Sequence, residues 1–388
     1  MGDCVVSKLK VMTCLGTRPE IIRLAPTLAA LDEHVDHVLV HTGQNWDYEL
    51  NELFFEELKV RKPDHFLGVD PSSLGSVLGN ILIEIEKVLL KEKPQAFLVL
   101  GDTNSAVAAI MAKRMRIPVY HMEAGNRCYD SNVPEEVNRK MIDHVADFNL
   151  CYTEHARRNL LGEGLEPKRI YVTGSPLQEV FDTHRAGLDS SDILQELGLE
   201  PHRYFVVSAH REENVDHPDR LRSLVTALEV LHADSDFPVV VSTHPRTQKR
   251  LEALGLEPKG DIRFLKPFGW FAYNRLQRDC ACALSDSGTI SEESAMLGFP
   301  AVTLRRAIER PEAMDTGTIT VTGLDPENIL EAVSATRAQY AAGRMPEVPR
   351  DYTVRNTSQR VLNLILGTAR QHQAWSNLAL PPGFSRDR

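Results

Sequence analysis

Residues 10–31 read KVMTCLGTRPEIIRLAPTLAAL, and the change of period inside this stretch decides the fold. Residues 10–15 are an apolar run of strand length, whereas 19–31 repeat their apolar side chains at helical spacing. Gly16 permits a tight turn between them, and Pro19 suits the first turn of a helix. A strand feeding directly into a helix is half of a βαβ unit. The alternation continues, with strands at 35–40, 96–100 and 117–120 and helices at 74–90, 105–115 and 134–145. It restarts with a strand at 204–208 and runs on through strands at 238–242, 262–265, 282–284 and 300–304, with helices between them. The pattern therefore predicts two open, doubly wound α/β domains. They are residues 1–180 and 181–370, with the boundary falling within 175–200. The last helix, 356–370, can pack back on either half, and the tail 371–388, ending PPGFSRDR, reads as disordered.

At 388 residues the chain exceeds one ordinary core and suits two domains. A net charge of −10 argues against a nucleic-acid partner. No run of eighteen apolar residues is present to span a membrane, and the opening MGDCVVSKLK lacks the form of a signal peptide. A cytoplasmic protein is the resulting expectation. The six cysteines, at 4, 14, 128, 151, 280 and 282, form no C-x-x-C pair and read as buried or incidental thiols.

In open α/β sheets, ligands sit beyond the carboxyl ends of the strands, so the loops after the strands are the places to search. In LGTRPEIIRLAP (15–26), Arg18 stands near a helix N-terminus, where an anion is favoured. The glycines of a dinucleotide fingerprint are missing, so Arg18 is either a phosphate contact or a surface arginine. In LGDTNSAVAA (100–109), Asp102 lies at a strand end, as a helix cap or as a site residue. VVSAHREENVD (206–216) places His210 just past a strand, and STHPRT (242–247) does the same for His244. LSDSGTISEESAMLGFP (284–300) is the strongest loop. Ser285, Asp286, Ser287 and Gly288 precede a helix, an arrangement suited to a diphosphate, and Glu292 and Glu293 can accept bonds from ribose hydroxyls. RRAIERPEAMDTGT (305–318) is a further arginine- and glutamate-rich loop.

A burst of charge, YHMEAGNRCYDSNVPEEVNRKMIDH (120–144), follows the strand at 117–120 and carries Glu123, Arg127, Asp130, Glu135, Glu136 and Arg139. It is a solvated loop or a set of acids and bases aimed into one cleft. Arginines, helix N-termini and hydroxyls suit a phosphorylated nucleotide, and Asp102, Glu123, Glu135 and His210 add groups able to move protons. A cleft between two facing domains is the natural place for all of them.

Together the ordered motifs GTRPE (16–20), GDT (101–103), MEAG (122–125), PEEVNR (134–139), AHRE (209–212), THP (243–245), DSG-x-x-x-EE (286–293) and ERPEA (309–313) resemble the non-hydrolysing UDP-N-acetylglucosamine 2-epimerases. The resemblance spans about residues 10–370. It implies two Rossmann-like domains in a glycosyltransferase-B-like fold, an interdomain active site, a homodimer and a UDP-sugar substrate. The implied reaction eliminates UDP to leave a 2-acetamidoglucal, then adds UDP back with C2 reprotonated from the other face. By motif position, Asp102, Glu123, Glu135 and His210 match the family's catalytic carboxylates and histidine, and Arg139 its active-site arginine. On this match Asp102, Glu123 and Glu135 handle protons, and His210 and Arg18 meet the departing diphosphate. Ser287 and Gly288 bind phosphate oxygens, Glu293 the ribose, and His244 matches a further UDP contact. Glu136 and Asp130 are supporting polar groups.

Two departures stand out. Many members carry lysine where this chain has Arg23, which keeps the charge but not the ability to transfer a proton. In HTGQNWDYELNELFF (41–55), Gln44 matches the loop of an allosteric site but Trp46 and Asp47 do not. That loop and GNRCYDSNVPEE resemble a sub-branch that includes enzymes forming UDP-N-acetyl-L-fucosamine. This makes a UDP-6-deoxy-L-hexosamine the alternative substrate. A hydrolysing epimerase, a glycosyltransferase on the same fold and a UDP-sugar sensor are the other readings. Elimination needs no NAD and no catalytic metal, and no ligand-spaced His/Cys cluster is visible.

Overall fold

The computed structural model describes residues 7–43 and 48–376. Cys4, Gln44, Trp46, Asp47 and the PPGFSRDR tail fall outside the described residues. Contacts divide the chain into two compact units: Met1–Thr183 with Val354–Arg388, and His184–Thr353.

The first unit is built on a sheet of β1 (Lys10–Leu15), β2 (Asp36–His41), β3 (His65–Phe66), β4 (Ala96–Leu100), β5 (Val119–Met122), β6 (Phe148–Cys151) and β7 (Ile170–Val172). Their order is β3-β2-β1-β4-β5-β6-β7, and every pair is parallel. Helices on both faces bury the inner strands, which is why β4 reads as the unbroken apolar run AFLVL with all its residues buried. The helix Leu74–Glu92 shows the local logic. Ser73 caps it by accepting the Ser76 N–H, left-handed Lys93 ends it, and Val77, Ile81, Ile85, Val88 and Leu89 form its buried stripe.

The second unit repeats the plan with β8 (Phe205–Ser208), β9 (Val239–Ser242), β10 (Ile262–Leu265), β11 (Cys282–Ser285), β12 (Ala301–Thr303) and β13 (Thr320–Val321). Their order is β10-β9-β8-β11-β12-β13, again parallel. In each sheet the strand order reverses beside the first strand, between β1 and β4 and between β8 and β11. A crevice opens at such switch points.

Several predicted elements shift. The helix predicted at 105–115 begins as a 3₁₀ turn, Asn104–Ala108, and becomes α-helical only over Ala109–Arg114. The strand predicted at 117–120 forms at Val119–Met122, so Glu123 is the first residue beyond it. The short strands β3, β6, β7 and β13 were not predicted. In β6 a buried polar Asn149, which donates to the Asp143 carbonyl at 2.9 Å, interrupts the apolar pattern. Residues 354–370 lie in the first unit, one of the two halves on which the sequence left the last helix able to pack. There the Thr357 hydroxyl donates to the Thr173 carbonyl at 3.0 Å, and Ser358 N–H donates to Glu179 at 2.9 Å.

The short helix His372–Trp375 is fastened by Asp147. This buried carboxylate accepts Val119 N–H at 3.0 Å and His372 Nε2 at 3.1 Å, and also bonds Lys113. Burial opposes its charge, but the bonds from His372 and Lys113 prevail and hold the carboxyl below the usual carboxylate range. Its stabilisation is therefore present above the unfolded-state pKa and lost as pH falls through the lower folded one. Asp147→Asn leaves buried donors without their charge partner and is expected to cost about 3 kcal/mol in urea unfolding at neutral pH. A change below about 1 kcal/mol, the range of an exposed pair, would contradict this account.

Candidate functional site

At the switch point of the first unit, the loops after β1 and β4 meet on Glu20. Thr17 and Glu20 have the Thr-x-x-Glu spacing of a capping box, but Thr17 makes no side-chain cap. Instead Glu20 Oε2 accepts Gly16 N–H at 3.1 Å and the Thr17 hydroxyl at 2.8 Å, while Oε1 accepts the Ser105 hydroxyl from the other loop. The anion at this helix N-terminus is thus the protein's own. Arg18, half-buried at the start of the helix Arg18–His34, lies with its guanidinium 5.5 Å from the centre of the Phe54 ring.

Glu123 begins the loop after β5 with φ at +65°, a left-handed conformation unusual for a side chain of this size. Gly101 lies beside it, with φ at +70°, and a Cβ there would stand 3.4 Å from Glu123 Oε2. Arg23 Nη1 lies 2.5 Å from the same oxygen, with the guanidinium 5.5 Å from the centre of the Tyr152 ring. Arg23 is buried and serves as the ion-pair partner of Glu123.

Asp102 is bound by Arg139 through Nε and Nη2, both at 2.7 Å from Oδ2. Arg139 Nη1 also donates to Glu136 at 2.9 Å. Buried Glu136 accepts the N–H groups of Cys128 and Tyr129. Burial opposes its charge, but these bonds and Arg139 hold its carboxyl below the usual range. Glu136 therefore ties the Cys128–Tyr129 backbone to Arg139. Asp130 is half-buried and orders the turn by accepting Asn132 N–H at 2.9 Å. Glu135 is half-buried in the first turn of the helix Pro134–Val145, where the helix dipole favours a carboxylate.

Under this layer lies a network that single-residue reasoning does not identify. Buried Arg127 donates at 2.7 Å to Asp143 and, through Nε and Nη2, to both oxygens of Glu163. His121 Nε2 donates to the Gly101 carbonyl at 2.8 Å, and its Nδ1 stands 2.9 Å from Asp143, close but poorly aligned. The loops carrying Asp102 and Glu123 thus share one buried support. Its members are up to 62 residues apart in sequence (Gly101 to Glu163), beyond the reach of any local motif.

In the second unit Asp286, fully buried, ties the loop after β11 to the loop after β8. It accepts His210 N–H and Arg211 N–H, both at 3.0 Å, and the Asn214 amide at 3.0 Å. The His210 ring is half exposed, with Nδ1 3.3 Å from Asp286. Ser287 hydroxyl lies 2.9 Å from that of Thr289, ahead of the helix Ile290–Leu297. Arg310 donates to the Gly288 carbonyl at 2.7 Å and pairs with Glu292 at 2.9 Å. Glu292 is fully buried by this pairing, which corrects its predicted role as a ribose acceptor. Glu293 remains half-buried and accepts the Gln277 amide at 2.7 Å. His244 is exposed, just ahead of the helix Pro245–Ala253. The two units thus carry separate clusters: Arg18, Asp102, Glu123, Glu135 and Arg139 in the first, and His210, His244, Ser287, Gly288 and Glu293 in the second. Among the described residues no group of three or more His, Cys, Asp or Glu side chains is arranged to hold a metal ion.

A family model described as UDP-N-acetylglucosamine 2-epimerase matches residues 29–366. A UDP-N-acetylglucosamine 2-epimerase from Rickettsia bellii is similar in structure, with a TM-score of 0.89 and 44% identity over 95% of this chain and 100% of that one. The UDP-GlcNAc 2-epimerase of Methanocaldococcus jannaschii, solved in complex with UDP-GlcNAc and UDP, gives a TM-score of 0.86 and 33% identity over 92% and 100%. The UDP-2,3-diacetamido-2,3-dideoxy-D-glucuronate 2-epimerase of Pseudomonas aeruginosa is 36% identical over 84% of this chain and 91% of its own.

The packing around Gly288 is open to a direct check. A Cβ added there would lie 2.6 Å from Glu309 Oε1 and 2.8 Å from Arg310 Nη1. Gly288→Ala is expected to destabilise the protein by about 1–3 kcal/mol in denaturant unfolding, and wild-type stability would contradict the close approach.

Proposed function

Because the chain belongs to the UDP-N-acetylglucosamine 2-epimerase family, we propose that it interconverts UDP-GlcNAc and UDP-ManNAc without hydrolysis. The observation that carries the reading is the pair of carboxylates Asp102 and Glu123 just past the ends of the adjacent strands β4 and β5, each paired with an arginine.

The C2 proton of the sugar has no neighbouring carbonyl to acidify it, so direct abstraction is too costly. Elimination avoids the problem. The C2–H and C1–O bonds break, a C1–C2 double bond forms, UDP leaves with the electron pair of the C1–O bond, and the proton passes to a carboxylate. UDP then adds back to C1 as C2 takes a proton on the opposite face. Asp102, Glu123 and Glu135 serve the proton transfers, and Arg139 fixes Asp102. His210 and Arg18 meet the departing diphosphate. Ser287 and Gly288 hold phosphate oxygens at a helix N-terminus. His244 is a further UDP contact and Glu293 takes the ribose. A homodimer in the cytoplasm belongs to the same reading.

Proton NMR with UDP-GlcNAc in D2O tests it. The expected result is UDP-ManNAc carrying deuterium at C2, with no free N-acetylmannosamine. No exchange at C2 would overturn the substrate. The Pseudomonas relative makes a UDP-diacetamidoglucuronate the next sugar to offer, followed by a UDP-6-deoxy-L-hexosamine. Glu123→Gln and His210→Asn are each expected to lower turnover by roughly a hundredfold or more in folded protein. Near-normal rates in both would refute the assigned residues.

A further inference from the structure

Glu20 has no part in the proposed chemistry, yet it is buried at the centre of the first unit's switch point. Three of its bonding partners come from two loops: Gly16 N–H and the Thr17 hydroxyl from the loop after β1, and the Ser105 hydroxyl from the loop after β4. Thr103, next to Asp102 in the chain, has its hydroxyl 2.5 Å from that of Ser105. All three partners are donors, so the geometry is that of a site for a carboxylate. Burial pushes Glu20 up to about 7 against the pull of Ser105, Thr17, Gly16 and Thr103. The other titratable group set against it is Cys14 on β1, whose thiol is pushed up first by burial and then by the Glu20 charge.

We propose that Glu20 is a positioning residue, a buried carboxyl acceptor that staples the loop bearing Arg18 to the loop bearing Asp102 so that both stand in working register. The inference rests on the epimerase reading for what the register serves. It follows from the bonding pattern that a ligand phosphate cannot take the Gly16 N–H while Glu20 holds it. Arg18 therefore meets an anion through its side chain and not as part of a backbone cradle. The staple also gives Ser105 a function, since its hydroxyl carries the β4 side to Glu20 Oε1 directly.

The test uses the full chain with Glu20→Gln, with Ser105→Ala, and with both. Each single change is expected to lower kcat for UDP-GlcNAc by roughly tenfold to a hundredfold while KM moves by less than about threefold. The double variant should be no slower than the slower single, because both changes break one unit. Effects that multiply in the double variant, or a wild-type kcat in either single, overturn the staple. Hydrogen exchange over residues 98–108 reads the same coupling without turnover. Both singles should speed exchange there to a similar extent, and unchanged protection overturns the proposal. A wild-type chain inert toward UDP-GlcNAc refutes the epimerase reading alone, since exchange still decides the staple. Ser105→Ala removes only a hydroxyl, so the test stands on it if Glu20→Gln fails to fold.

Discussion

One buried carboxylate ties together the two strand-end loops at each switch point, and the candidate chemistry of each unit depends on it. In the first unit Glu20 gathers donors from the loops after β1 and β4. In the second unit Asp286, from the loop after β11, gathers donors from the loop after β8. The cause is common to open parallel sheets. At the switch point the chain leaves neighbouring strands in opposite directions, and the backbone N–H groups at the strand ends lose their ladder partners. A buried acceptor with two oxygens and several lone pairs satisfies many such donors at once. Each loop is thereby fixed to its neighbour and not only to its own strand.

The second layer of organisation is the pairing of carboxylates with guanidinium groups. Glu123 has Arg23, Asp102 and Glu136 share Arg139, and Asp143 and Glu163 share Arg127. Arginine does not give up its proton near neutral pH. On the proposed reading, the proton transfers therefore fall to the carboxylates, and the arginines set their position and charge. Arg23 fits this division because it is buried against Glu123. The left-handed backbone of Glu123 is held by its surroundings: Gly101 leaves room for the carboxylate, Arg23 forms an ion pair with it, and the Asn126 amide donates to it.

The doubly wound architecture is legible in the sequence because its signal is local. Ala96–Leu100, Pro134–Val145 and Ile262–Leu265 have the predicted bounds, each an apolar run or stripe of clear period. β6 is hidden because Asn149 is buried by a hydrogen bond that only the folded chain supplies. The β7 strand is only three residues long, too short to show a period. The site divides in the same way. Strand-end loops mark Asp102, His210 and Ser287, since position after a strand can be read directly. Which carboxylate meets which arginine cannot, because Asp102 and Arg139 lie 37 residues apart. Glu292 and Glu293 look equivalent in sequence, yet one is fully buried against Arg310 and the other, half-buried, accepts the Gln277 amide. A step of one residue rotates a side chain far around a helix.

The central claim is that the bond between the sugar and UDP breaks and re-forms during turnover. The most direct measurement uses UDP-GlcNAc carrying heavy oxygen in the bridge between C1 and the β-phosphorus, followed by phosphorus NMR. A free UDP in the site can rotate its terminal phosphoryl group before re-addition. The account predicts that the label moves from the bridge into the non-bridging β-phosphoryl positions as C2 is epimerised. A label that stays in the bridge while C2 inverts would contradict elimination and require a route that leaves the C1–O bond intact.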